Sequence, residues 1–324
     1  MIPLLRLIRW QNLLFLTILM FVMERWVAVP VLGTYGFPEQ LTWWLMLLLT
    51  AGVLLIAAGG YVINDYFDVK IDRINRPERL VVTQSISKEQ TMLLFQVLTA
   101  LGVLSGLAAA WVLRDWTLAI VFIMVPGVLW FYSSSYKRQF LLGTFIVSFA
   151  SALVPLIIAL ANVACMQLKY PIVMDYLSIP HDLYLWLGGF ALFAFLTTFV
   201  RELIKDLQDQ MGDRELECHT LPIVLGELGT KIILTVLILL IAAALCWVNA
   251  RLLPYDTAWG SLSTRYLMFG LLTPLVCELW LLWAARIPSD YRNAQLLMKF
   301  IMFMGAMYSF VVLRMLPTVE IPLL

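Results

Sequence analysis

Two short polar islands interrupt an otherwise apolar chain, and both are rich in aspartate. The first, NDYFDVKIDRINRPERL, runs from Asn64 to Leu80 and carries Asp65, Asp68 and Asp72. The second, RELIKDLQDQMGDRE, runs from Arg201 to Glu215 and carries Asp206, Asp209 and Asp213. In both, the acids are spaced by three and then four residues, and an arginine (Arg73, Arg214) follows the third. On a helix this spacing puts three carboxylates on one face. Like charges at that spacing repel, so they call for a cation. Hard divalent ions take oxygen ligands, and Mg²⁺ usually combines one or two carboxylates with substrate phosphate oxygens and water. Six carboxylates therefore suit more than one Mg²⁺ ion shared with a diphosphate. Basic residues stand nearby at Lys70, Arg73, Arg76, Arg79, Lys137, Arg138, Arg201 and Lys205, and such side chains are the usual direct phosphate partners.

Each signal has a plainer reading. A single DxxD in a loop is ordinarily a solvated turn or a helix cap. Two copies at identical spacing in one chain are much harder to explain that way. Lys137 and Arg138 double as ordinary charges that set membrane orientation. His219 reads as a helix-boundary residue and His181 as a loop residue. The four cysteines (Cys165, Cys218, Cys246, Cys277) form no CxxC pair and read as buried or incidental thiols rather than a disulfide or zinc framework.

The elements that position these islands follow from composition. The chain is 62% hydrophobic and 13% charged, whereas a soluble domain is about 45–50% apolar and about 25% charged. The excess comes in blocks long enough for a hydrocarbon core about 30 Å thick, which needs roughly 20 apolar residues per helix. Nine such segments are expected, at about 10–33, 41–63, 91–113, 116–133, 141–163, 183–200, 231–250, 265–285 and 297–314. Backbone groups in lipid must be paired internally, and these blocks are too long and uniform for barrel strands. The expected fold is all-α: a polytopic bundle of nine transmembrane helices forming one membrane-embedded domain over 1–324, with no cleaved leader. Glu24 and Arg25, inside the first segment, are expected near the far interface.

Four crossings separate the two islands, so both are expected on the same membrane face. Sixteen of the 22 Lys and Arg residues fall on the side that holds the N-terminus. The positive-inside bias makes that side cytoplasmic, with the C-terminus outside and the acidic sites opening to the cytoplasm of a cell inner membrane. A net charge of +1 and the absence of a basic run exclude a nucleic-acid partner.

With these motifs in view, the chain resembles the UbiA superfamily of intramembrane prenyltransferases over nearly its whole length. That family has nine transmembrane helices and two Asp-rich motifs, after helices two and six. Its NDxxDxxxD motif stands here as Asn64, Asp65, Asp68 and Asp72. Its DxxxD motif is met by Asp209 and Asp213, with Asp206 upstream. Within the superfamily, KDLQDQMGD followed by TLPIVLG (Thr220 to Gly226) is most similar to the geranylgeranylglycerol-phosphate geranylgeranyltransferase branch. The chain departs from the family's pattern at Arg79-Leu80, where Arg-Pro is frequent, and at Glu217, where glycine often stands.

The resemblance implies Mg²⁺-dependent transfer of a prenyl group from its diphosphate to a lipid-soluble acceptor. Asp65, Asp68, Asp72, Asp209 and Asp213 would hold the metal. Asn64 would orient that site, and Arg73, Arg79, Lys137, Arg201 and Lys205 would meet the diphosphate. Tyr132 would line the substrate pocket, and Asp206 is a candidate base. Acceptors weighed against a glycerol phosphate lipid are 4-hydroxybenzoate, 1,4-dihydroxy-2-naphthoate and a tetrapyrrole. An ion-coupled transporter is the non-enzyme alternative, since intramembrane acids often mark ion paths. The acids here cluster at helix ends rather than at the midplane of broken helices, which argues against a carrier. A CDP-alcohol phosphotransferase would need upstream Asp-Gly and Ala-Arg elements that this chain lacks.

Overall fold

The computed structural model describes residues 2–75, 80–136, 139–215, 217–252 and 258–316. Among them, nine helices are long and apolar enough to cross a membrane. They are α1 (Trp10–Thr34), α2 (Trp43–Phe67), α3 (Lys88–Leu113), α4 (Trp116–Ser134), α5 (Leu142–Lys169), α6 (Ile179–Glu215), α7 (Leu221–Ala250), α8 (Ser261–Ala284) and α9 (Pro288–Met315). Two carry π-helical stretches, Glu24–Ala28 in α1 and Leu267–Leu272 in α8. The sole strand-like feature among the described residues is an isolated bridge between Val82 and Ile86.

The helices divide between two compact units. The first draws on Met1–Lys137 and Leu153–Gly188, the second on Arg138–Ala152 and Gly189–Pro317.

In the first unit, α2, α3 and α4 pack against one another. Lipid gives apolar helices no hydrophobic reason to associate, so close contact needs small residues. Gly52 of α2 faces Gly102 and Gly106 of α3: a methyl group on Gly102 would lie 3.1 Å from the Gly52 carbonyl oxygen and 3.0 Å from the Ile56 backbone nitrogen. The Ser105 hydroxyl, on the same stretch of α3, donates to the Leu48 carbonyl of α2 at 2.8 Å. At the motif end of α2, Leu7, Val62, Val69 and Leu80–Val82 form a small buried cluster. The connection into α3 ends in a capping box, in which the Ser87 hydroxyl accepts from the Gln90 amide and the Gln90 side chain accepts from the Ser87 amide.

In the second unit, one apolar core joins four helices. Val200, Leu203, Ile204 and Leu207 of α6 meet Leu234, Ile238 and Ile241 of α7, Leu267, Leu271 and Leu275 of α8, and Tyr291, Ala294, Met298 and Ile301 of α9. The α6 positions follow the i, i+3, i+4, i+7 pattern of a helix with one buried stripe. At about 100° per residue, Asp206, Asp209 and Asp213 fall on the opposite flank of that helix.

Candidate active site

The first acidic motif straddles a break in the helix. Asn64, Asp65, Tyr66 and Phe67 are the last turn of α2, and Asp68 is its C-cap. A second short helix, Val69–Asn75, follows at once. Backbone bonds from Asp68 to Asn64 (3.0 Å) and from Asp72 to Asp68 (2.9 Å) carry the i→i+4 register across the break. The three carboxylates thus keep the common face that their spacing implies.

Asn64 and Asp68 are both buried, and the Asn64 amide donates to the Asp68 carboxylate at 2.7 Å. That bond fixes the direction of the Asp68 carboxylate. Asp65 pairs with Arg9 at 2.8 Å, and the Arg9 guanidinium lies 4.9 Å from the centre of the Tyr61 ring, one turn earlier on α2. The charge count along the sequence treated Arg9 only as a topogenic residue. A left-handed Arg9 (φ 50°) at the start of α1 brings its side chain to the motif, and no sequence signal marked it. Asp72 is half-buried and Arg73 exposed. The motif's flank is aromatic: Tyr66 meets Phe67 edge-on at 5.2 Å, Phe67 meets Trp130 at 5.7 Å, and the Lys88 ammonium lies 5.7 Å from the Tyr66 ring. Tyr132, expected to line the substrate pocket, is buried on α4.

The second motif lies wholly within α6. At 1.5 Å per residue the 37 residues of this helix are about 55 Å long, well beyond the roughly 30 Å of a hydrocarbon core. The second island is therefore helix rather than a loop after a span, and the core packing of Val200 to Leu207 anchors its rotation. Glu202 lies on the same stripe as the three aspartates, four residues before Asp206. It is buried and ion-pairs with Arg201 and, at 3.8 Å, with Lys205. Glu202 was missed in the sequence, although its spacing to Asp206 was the signal that would have found it. Arg201 and Lys205 are thereby held beside the acidic stripe.

Asp206 and Asp209 are half-buried, and Asp213 is buried. Asp213 accepts a hydrogen bond from the Thr220 hydroxyl at 3.1 Å. The turn that brings Thr220 back is closed by the Cys218 amide on the Asp213 carbonyl (2.9 Å). Glu217 in that turn is left-handed, with φ 52°. This is a conformation suited to glycine, at the position where the family pattern often has one. Gly226, the last residue of TLPIVLG, has φ 74° where α7 kinks. Next to Asp209, Gln208 accepts a 2.6 Å hydrogen bond from Gln295 of α9.

Arg79 and Lys137, and with them Arg76 and Arg138, lie outside the described residues. Cys165, Cys218, Cys246 and Cys277 are all free thiols. His219 is exposed between α6 and α7, and His181 is exposed beside Asp182.

The donor set of both motifs consists of carboxylate oxygens, which suit Mg²⁺ rather than a soft metal. Among the described residues, no three Asp, Glu, His or Cys side chains gather closely enough to hold a metal by themselves.

Known proteins share this sequence pattern and fold. The digeranylgeranylglyceryl phosphate synthase of Ignicoccus hospitalis is 35% identical over 184 residues, 55% of this chain and 53% of that protein. The synthase of the same name from Thermococcus kodakarensis is 32% identical over 203 residues, 61% of this chain and 64% of that protein. The matches thus span between half and two thirds of those relatives. Among solved structures, a digeranylgeranylglyceryl phosphate synthase in membranes superposes with a TM-score of 0.59 at 20% identity, covering 95% of this chain and 98% of its own. A UbiA homolog from Archaeoglobus fulgidus bound to DMAPP and Mg²⁺ superposes with a TM-score of 0.54 at 14% identity, covering 96% and 99%. At such identities the structural likeness establishes the fold. The UbiA prenyltransferase family model matches residues 26–307, most of the chain, and this integral membrane protein belongs to that family.

Proposed function

We propose that the protein transfers a prenyl group from a prenyl diphosphate to geranylgeranylglyceryl phosphate, releasing diphosphate, and that it needs Mg²⁺ to do so. The observation that carries this reading is the pair of identically spaced acidic stripes, one across a helix break and one within a helix, each beside paired basic side chains. The acceptor is taken from the digeranylgeranylglyceryl phosphate synthases that the chain resembles. The solved relative with DMAPP and Mg²⁺ supports the choice of donor and metal. We read the chain as one prenyltransferase domain, because the family match runs through both compact units.

In this reading Asp65, Asp68, Asp72, Asp209 and Asp213 hold the metal. Bound there, Mg²⁺ supplies positive charge to the leaving diphosphate. Asn64 keeps the Asp68 carboxylate turned toward its task, and Thr220 does the same for Asp213. Arg201 and Lys205, preset by Glu202, meet phosphate oxygens as charge develops on them. Arg73, Arg79 and Lys137 complete the basic surround. Tyr132 lines the pocket for the reacting carbon, and a pocket closed to water prevents hydrolysis of the allylic cation. Asp206 takes the acceptor's proton. Four spans separate the motifs, an even number that supports placing both on one membrane face, and the Lys and Arg bias supports a cytoplasmic one.

Purified protein incubated with a panel of prenyl diphosphates and acceptors tests this, read by mass spectrometry. The expected product is a twice-prenylated glycerol phosphate, lost in EDTA and restored by Mg²⁺. Prenylation of 4-hydroxybenzoate or 1,4-dihydroxy-2-naphthoate in place of the lipid would replace the acceptor. No transfer from any prenyl diphosphate would overturn the assignment.

A further inference from the structure

The first unit holds a buried polar pair far along the chain from the acidic motifs. Glu24 opens the π-helical stretch of α1 and is 1% exposed; Asn162 of α5 is fully buried. The Asn162 amide nitrogen spends its two hydrogens on the Glu24 Oε2 atom (2.7 Å) and on the Ile158 carbonyl (3.0 Å). The Ile158 carbonyl decides which way the amide faces: turned round, the amide oxygen would meet that carbonyl oxygen. Two buried acceptors then remain without a donor, Glu24 Oε1 and Asn162 Oδ1.

Among the described residues no cation forms an ion pair with Glu24. Arg25, next in sequence, is paired with Glu39 at 2.6 Å. Lys169, two turns along α5 from Asn162, donates to the Gln40 carbonyl and side-chain oxygens at 3.0 and 3.2 Å. Cys165 donates to the same carbonyl at 3.4 Å. Among the described residues, the charged and titratable groups that act on Glu24 include Arg25 and Glu39, with the Cys165 thiol also near it. An unpaired carboxylate in an apolar interior is far more costly than a neutral acid.

We propose that Glu24 and Asn162 form a proton-binding site, in which Glu24 is a neutral carboxylic acid whose Oε1 hydrogen is donated to Asn162 Oδ1. One proton supplies both missing partners. The amide gives one hydrogen to the acid and receives one back, closing a two-bond ring that ties the π-turn of α1 to α5. The site takes a proton rather than a metal ion, because its two open atoms need a single shared donor. π-turns inside helices frequently accompany functional positions, and here the extra residue in the turn accompanies an inward-facing Glu24.

The sign of the pH effect follows. Removing the proton would leave a bare carboxylate facing the Asn162 oxygen, so stability is expected to fall once pH is high enough to take it away. Glutamine reproduces the acid, since its amide both accepts from and donates to Asn162.

The test uses the full-length protein in detergent or nanodiscs, with infrared spectra of ¹³C-glutamate-labelled samples and thermal unfolding across pH. A protonated-acid carbonyl component is expected near neutral pH in wild type and lost from the Glu24→Gln spectrum, leaving any band from the equally buried Glu278 unchanged. Glu24→Gln should match wild-type stability near neutral pH and resist alkaline loss, whereas Glu24→Ala should be weakened at every pH. A wild-type spectrum with no acid band lost on E24Q substitution would overturn the proposal, and it needs no variant stability. So would an E24Q protein as weak as E24A throughout, or a wild-type midpoint that rises with sodium while its glutamate band shifts, which would mean a bound cation.

Discussion

Asp68 and Asp213 are the most enclosed of the six motif aspartates, and each is bonded to a neighbouring polar side chain, Asn64 and Thr220 respectively. Burial and orientation are what a charge-stabilising site requires, since fixed groups need no rearrangement as charge develops. Asp68→Asn and Asp209→Asn are therefore each expected to lower prenyl transfer by about 100-fold or more, with expression and detergent elution unchanged. Normal turnover by both would remove the metal from the reaction. Glu217 makes a separate prediction. A non-glycine residue in the left-handed region costs about 1–2 kcal/mol, and its side chain is exposed. Glu217→Gly should raise thermal stability by about 1 kcal/mol less the entropy that glycine adds to the unfolded chain, measurable as a higher unfolding midpoint.

At the scale of the helix, rotation and closeness decide what the residues can do. The apolar stripe Val200, Leu203, Ile204 and Leu207 turns the acidic stripe of α6 to the other flank. In the first unit the acidic end of α2 is held by its packing on α3, where glycines let backbones approach. A methyl group on Gly102 would meet backbone atoms of α2 that cannot turn aside. Gly102→Ala is thus expected to cost about 1–3 kcal/mol, the usual scale of overpacking. Gly189 of α6 has open space at the same position, so Gly189→Ala should be neutral or stabilising by about 0.5–1 kcal/mol. Equal effects from the two substitutions in thermal unfolding would mean that the close approach of α2 and α3 is not a constraint.

For the whole molecule, the membrane makes the topology testable. With the N-terminus cytoplasmic, the connections after α2 and α6 face the cytoplasm and the α3–α4 hairpin faces away. Cysteines placed at Ser85 and His219 in a cysteine-free background should react with an impermeant maleimide only in inside-out vesicles. A cysteine at Arg114 should react only in right-side-out ones. All three positions are exposed. The reverse pattern would invert the protein and move the acidic motifs to the other side.

Fold class and motif positions were legible in the residues because they rest on short-range rules. A helix in lipid must satisfy its own backbone bonds, so an apolar run of sufficient length declares itself without reference to any neighbour. Carboxylates at three- and four-residue steps share a helical face wherever that helix lies. The partners of these groups were not legible, because they come from distant parts of the chain. Arg9 reaches Asp65 across 56 positions, Gln295 reaches Gln208 across 87, and Asn162 reaches Glu24 across 138. Glu24 beside Arg25 reads locally as an interfacial pair. What that reading lacked is that the folded chain turns Glu24 inward and Arg25 outward to Glu39, since a π-turn and a packed α5 decide which side of α1 is interior.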